Sequence, residues 1–164
     1  VAGPEAAALL LATALEPLRK AAGLERVAAV TLHAASGSGE PAVRELESEV
    51  ADLMNGRAPD PSIESPHRVA FNLVPQVGSF GPEGRTDEEA RTAGEVRRIL
   101  GEPALRLSVA SVRVPVFYGH TQLVWLRTRQ RIGAEEAREA LRKAPGLKLL
   151  DQPAERVYPC PCWR

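Results

Sequence analysis

RVAAVTL, residues 26–32, is apolar or β-branched at almost every position after its first, the pattern of a strand covered on both faces. It leads into Ser36-Gly37-Ser38-Gly39, a loop by composition, with a helix predicted from Pro41 onward. Upstream, Ala6, Ala7, Ala8, Leu9, Leu10, Leu11, Ala14, Leu15 and Leu18 lie between Gly3-Pro4 and Gly23. Strong helix formers between a proline start and a glycine stop predict a mostly buried helix over residues 4–20.

Downstream of the loop, Val43, Leu46, Val50, Leu53 and Met54 recur at helical spacing while Arg44, Glu45, Glu47 and Glu49 turn outward, so this helix should cover a sheet. Residues 55–68, with Gly56, Pro59, Pro61 and Pro66, read as a long loop. A strand is predicted over 69–74, a turn-rich connection over 78–84, and a helix over 86–100 that Thr86 and Glu89 open with a capping box. Residues 105–116 and 121–129 read as strands able to pair antiparallel, followed by a helix over 134–143 and a short edge strand over 148–150. Pro153, Pro159 and Pro161 then forbid regular structure. The expected fold is a single α+β domain over residues 1–164: a mixed, largely antiparallel sheet with helices mainly on one face. Four helices are too few to cover both faces, which leaves one for a second copy in a homodimer.

The 164 residues carry 21 Lys and Arg against 21 Asp and Glu. Zero formal charge gives no long-range pull toward nucleic acid or an anionic membrane. With 44% hydrophobic and 26% charged residues the composition is that of a soluble globule, and no apolar run reaches the roughly 18 residues of a membrane span. The Val1-Ala2-Gly3-Pro4 opening, without initiator Met or leader, and the stop at Trp163-Arg164 suggest a piece of something longer. Cys160 and Cys162 stand together near the end and cannot staple a whole domain, so a reducing, cytoplasmic setting is expected.

Four patterns bear on chemistry. Gly37 to Ala42 matches a dinucleotide fingerprint formally, but Pro41 removes a donor from the helix start and no doubly wound alternation follows. Arg113 and His120 flank a bend marked by Pro115 and Gly119; a guanidinium suits a carboxylate and an imidazole suits proton transfer, although an exposed pair of surface groups fits the spacing as well. Glu88, Arg91 and Glu95 share a helix face and, taken alone, form a solvated ion-pair stripe. Cys160-Pro161-Cys162 with His33, His67 or His120 falls short of a zinc knuckle in spacing and in cysteine count, and no metal is expected.

The strings ALEPL, TLHAASGSG, FNLVPQVGSF, GRTDEEAR, EVRRILG, SVRVPVFYGHT, EEAREALRKAPG and VYPCP occur in this order along nearly the whole chain. In order and content they resemble the catalytic and dimerisation domain of the aspartate-semialdehyde dehydrogenase family, which has the sheet fold of the C-terminal domain of glyceraldehyde-3-phosphate dehydrogenase-like enzymes. The resemblance implies NADP-dependent interconversion of aspartyl phosphate and aspartate semialdehyde through a cysteine thioester, in amino-acid biosynthesis. By position, Arg113 would grip the substrate carboxylate, Glu88 the amine, Arg91 the phosphate, and His120 would be the acid/base. Ser36 and Gly37 would touch the nicotinamide end of NADP.

Two departures bear on activity. The family's Pro-Asn-Cys string falls on Pro4-Glu5-Ala6, so Ala6 occupies the nucleophile position and Glu5 adds negative charge where phosphate must arrive. His33 stands in place of the family glutamine. The family's NADP-binding Rossmann domain is expected to be absent from this chain, and the chain alone is then expected to bind no NADP. Two readings stand: a non-catalytic homologue or fragment serving dimerisation and binding of a small amino dicarboxylate or anion, or part of a divergent dehydrogenase with another nucleophile.

Overall fold

The most apolar strand takes the centre of the sheet, where neither edge meets water. It extends over Leu24–His33 (β1) and is flanked by β2 (Arg106–Arg113), parallel to it, and β3 (Thr121–Thr128), antiparallel, in the order β2-β1-β3. The computed structural model describes residues 3–60 and 66–161; Pro61, Cys162 and both ends of the chain lie outside the described residues.

Helix α1 (Ala6–Ala22) precedes β1 and is closed by Gly23, whose φ of 65° lets the chain reverse and whose N–H donates to the Arg19 carbonyl at 2.9 Å. Helix α3 (Asp87–Leu100) stands in the same relation to β2, with the expected capping box at Thr86 and Glu89. Both helices pack on one sheet face, where Leu11, Leu15, Leu24, Val27, Ala29, Val96, Leu100 and Leu107 form the main core. Helix α2 (Glu40–Met54) builds a smaller cluster from Val43, Leu46, Ala35 and Ala70. Helix α4 (Ala134–Arg142) rests on α1 with no residue of its own buried.

β1 alternates accordingly: Val27, Ala29, Thr31 and His33 are buried, whereas Ala28, Val30 and Leu32 between them are half-covered. The expected cover on both faces is therefore present on one. The register places Ala28 between Ser108 and Trp125, and Val30 between Ala110 and Leu123, leaving an apolar outer face on which Trp125 is 60% and Leu123 44% exposed.

Four local expectations are corrected. β2 and β3 do not pair; β1 lies between them, and residues 114–120 cross its end to span the roughly 10 Å between the outer strands. That crossing is fixed by the Val114, Ala35 and Ser36 amides, which donate to the His33, Val116 and Phe117 carbonyls. Residues 69–74 are not a strand: Phe71 has φ of 55°, and only Val74 bridges to Arg113. The Val69 and Ala70 amides donate instead to the Glu49 carboxylate at 3.0 and 2.8 Å, which draws Glu49 inward to 3% exposure rather than outward. Residues 148–150 stay irregular, since so short a run offers few ladder bonds. Among the described residues no helix is long and apolar enough to cross a membrane.

Candidate functional site

Because β1 and β2 run parallel and each follows an antiparallel helix, four ends meet at one edge of the sheet: the C-termini of β1 and β2 and the N-termini of α1 and α3. His33 and Arg113 are register partners there, and His120 enters just before β3. Between these ends lies a cleft of about 520 Å³ lined by Glu5, Ala6, His33, Gly37, Ser38, Gln76, Gly78, Glu88, Arg113 and His120, among others. The crevice outside the carboxyl ends of parallel strands is where sheet folds of this kind bind ligands.

His120 is oriented by backbone. The Ala34 N–H donates to its Nδ1 at 3.1 Å, so the neutral ring carries its proton on Nε2. A Cβ on Gly37 would lie 2.7 Å from His120 Cε1, so only glycine lets the loop approach the ring this closely. Burial holds the imidazole below its ordinary pKa, which keeps it neutral and able to take or give a proton.

His33 is 6% exposed, with its ring centroid 5.1 Å from that of His120 and its Nε2 at 3.3 Å from Ser111 Oγ. Burial first, then repulsion from His120 whenever that ring is protonated and from the Arg113 guanidinium, push its pKa down to about 4. Arg113 Nη1 donates to Ser38 Oγ at 2.7 Å, which aims the guanidinium along the cleft wall.

At the other wall Glu88 is 8% exposed, and burial together with the nearby Glu5 carboxylate raises its pKa. Arg91 does not line the cleft; its guanidinium lies 2.8 Å from Glu5 Oε1 and 3.5 Å from Glu88 Oε2. The Glu5 amide donates to Glu95 Oε2 at 2.8 Å. The expected solvated stripe is thus a clamp that joins α3 to the start of α1. Ala6, the first residue of α1, exposes its methyl to the cleft.

Sequence reasoning brought together Arg113, His120, His33, Glu88, Ala6 and Gly37, all of which line the cleft. Ser36 does not line it, and its amide is turned to the Phe117 carbonyl. Three positioning groups were missed. Gln122 Nε2 donates to the Ala7 carbonyl and to Thr31 Oγ1, joining α1 to the sheet. Ser111 accompanies His33. The wall at Gln76 to Ser79 is held by Asp87, whose Oδ1 accepts from the Ser79 amide at 2.8 Å; the FNLVPQVGSF string carried that last signal.

The short helix Ala35–Ser38 makes a poor phosphate cradle. The Ser36, Gly37 and Gly39 amides already donate to the Phe117, Ala34 and Ser36 carbonyls, and Pro41 offers none, so the fingerprint-like Gly37 to Ala42 does not fit a dinucleotide pyrophosphate. Among the described residues no group of three or more His, Cys, Asp or Glu is placed to hold a metal ion. Cys160 is exposed, and Pro161 packs against Gly119 beside His120.

A three-stranded mixed sheet, helices on one face and a cleft at the strand ends define the class: an α+β domain with a ligand-sized crevice at the carboxyl ends of its parallel strands. The chain belongs to the semialdehyde dehydrogenase dimerisation domain family, which matches residues 15–164. It is 35% identical over 161 residues to aspartate-semialdehyde dehydrogenase of Aquifex aeolicus, covering 98% of this chain and 47% of that protein. The crystal structure of aspartate-semialdehyde dehydrogenase II from Vibrio cholerae complexed with ASA superposes with a TM-score of 0.87 at 34% identity, over 90% of this chain and 44% of that one. The Candida albicans enzyme, solved with NADP, is alike in fold alone: TM-score 0.57 at 22% identity, over 85% of this chain and 34% of that one. The chain spans about half the length of the curated relatives it matches.

Proposed function

We propose that this chain is the dimerisation half of an aspartate-semialdehyde dehydrogenase-like protein, and that its cleft holds a small amino dicarboxylate without turning it over. The observation that carries this reading is the Ala6 methyl, which lines the cleft at the start of α1 with His120, Arg113 and Glu88 around the same space. A thiolate there would gain from the positive end of the helix and from a neighbouring imidazole, and a methyl can attack nothing.

In this reading Arg113 binds a ligand carboxylate through its planar fork and Glu88 receives the ammonium. His120 keeps the geometry of an acid/base, and His33 fills the place of the family glutamine. Arg91, by its position a phosphate contact, is neutralised by Glu5, which disfavours a phosphorylated ligand. Ser36 and Gly37 retain the place of a nicotinamide contact, but NADP, when bound, supplies hydride chemistry only if a dinucleotide-binding unit that these residues do not form holds it. Two copies pair through the open sheet face around Leu123 and Trp125, and the setting is cytoplasmic.

A second reading keeps the protein a divergent NADP-dependent dehydrogenase, and the contact of Pro161 with Gly119 favours it, because it brings the Cys160 segment to the loop that bears His120. Treatment with an aspartate-derived electrophile, followed by peptide mapping, separates the two. The first reading expects an adduct at position 6 in Ala6→Cys and none in the unaltered chain that depends on His120. A wild-type adduct on Cys160 or Cys162 that disappears in His120→Asn would overturn it.

A further inference from the structure

Helix α4 seats on α1 without a buried core, and between these two helices and the C-terminal end of α3 runs a groove of about 720 Å³. Its walls are mostly apolar, with Leu9, Ala12 and Pro17 of α1, Ile99 of α3, Ala140 of α4 and Pro145 just beyond it. Leu9 and Ile99 stay exposed there, since α4 does not reach across them. Thr13 adds little polarity, because its hydroxyl donates to the Leu9 carbonyl at 2.7 Å. From Leu9 to Lys20 the groove follows α1 for about 16 Å. It lies on the helical side of the sheet, so pairing of two copies through the opposite face leaves it open.

The charged groups around this groove do not balance. Glu16 accepts from Arg19 Nε at 2.7 Å and from its Nη2 at 3.0 Å, and this fork is the first cause that holds the carboxyl down to about 2. Lys20 Nζ, at 3.1 Å, is a second cation on the same carboxylate. Glu139 is likewise shared by Arg142 and Lys143. Arg19 reaches one further carboxylate, Glu102 at 3.7 Å, which Arg129 already holds at 3.0 Å. Among the described residues three carboxylates thus serve five cations, and the two lysines that line the groove carry the surplus. Exposed pairs of this kind are worth little, so each ammonium is able to turn to another anion. We infer that the groove is a binding site for an aliphatic monocarboxylate, a fatty acid whose chain lies along α1 and whose carboxylate meets Lys20 and Lys143. The volume is that of a small-molecule site, and removal of the chain from water drives the binding. The site is separate from the cleft and does not rest on the function proposed for it.

Calorimetric titration of the 164-residue chain with decanoate, below its micelle concentration, tests the site. One decanoate should bind per chain, and Lys20→Gln/Lys143→Gln should weaken it about fivefold while leaving the affinity for decanol unchanged. Ala140→Phe, which sets a ring into the groove from a helix with no buried residue, should abolish the binding of both. Circular dichroism checks that the variants are folded, and the two lysines are exposed, so their replacement does not endanger the fold. Five results would each overturn the inference: no binding by the unaltered chain, equal affinity for decyltrimethylammonium, equal decanoate affinity in the lysine variant, decanoate binding that survives Ala140→Phe, or light scattering in which Ala140→Phe dissociates a dimer, which would make the groove an interface between copies.

Discussion

Helices α1 and α3 cover the same sheet face and aim their N-termini at the same cleft, but their first turns are finished in different ways. At α3, Thr86 Oγ1 accepts from the Glu89 amide, Glu89 Oε2 accepts from the Thr86 amide, and Glu89 Oε1 takes the Ser111 amide of β2 at 2.9 Å. At α1 the N-cap residue is Glu5, and no side chain caps the turn. Its carboxylate goes to Arg91, and its own amide goes to Glu95. The start of α3 is closed for stability; the start of α1 is held from outside, leaving its positive end facing the cleft.

The largest expected effect concerns His33, on the cleft side. Its folded pKa of about 4 lies below the ordinary 6.5, so between these values the folded state binds fewer protons than the unfolded chain. The stability linked to this depression is fully present above about pH 6.5 and is lost as the pH falls toward 4. After allowance for solvent at the mouth of the cleft, it should be on the order of 2 kcal/mol. Chemical denaturation at pH 7 and pH 4.5 measures it, and His33→Gln should flatten the difference by that amount. His120, also lowered, contributes in the same direction, whereas the raised Glu88 contributes in the opposite one.

Next comes the closed end. Thr86→Ala removes one half of the capping box, and the buried threonine leaves the Glu89 amide without its acceptor. A loss of about 1 kcal/mol in urea denaturation is expected, with an unchanged m-value. A loss below a few tenths would mean that the Glu89 bridge to Ser111 holds the turn without a cap.

Much of this comparison was legible in the sequence. Thr86 and Glu89 show the capping box by spacing alone, and the Ala/Leu run of α1 needed only propensity and a glycine stop. The placement of β1 between β2 and β3 was not legible: two strands adjacent in sequence predict a hairpin, and only the bonds of residues 114–120 across the end of β1 exclude it. Glu49 looked solvated because helical periodicity locates a face but not the amides, those of Val69 and Ala70, that draw a carboxylate inward. In the site, Arg113, Glu88 and His120 were readable by motif order. Gln122 was not, because its two partners, Ala7 and Thr31, lie far from it in sequence.

The smallest stability effect belongs to the open end, and it separates structure from binding. Glu5→Gln removes the carboxylate charge from Arg91 but keeps the amide that donates to Glu95. Since the ion pair is partly exposed on both sides, folding stability should change by only a few tenths of a kcal/mol. The cleft should change more. With Glu5 neutral, Arg91 keeps only the Glu88 carboxylate at 3.5 Å as a counter-charge, and the pKa of Glu88 moves back toward its ordinary value. Inorganic phosphate should then bind several-fold more tightly in Glu5→Gln than in the unaltered chain. Equal affinities would show that Arg91 stays committed to Glu88, and that the Glu5 carboxylate does not set the phosphate affinity of the cleft.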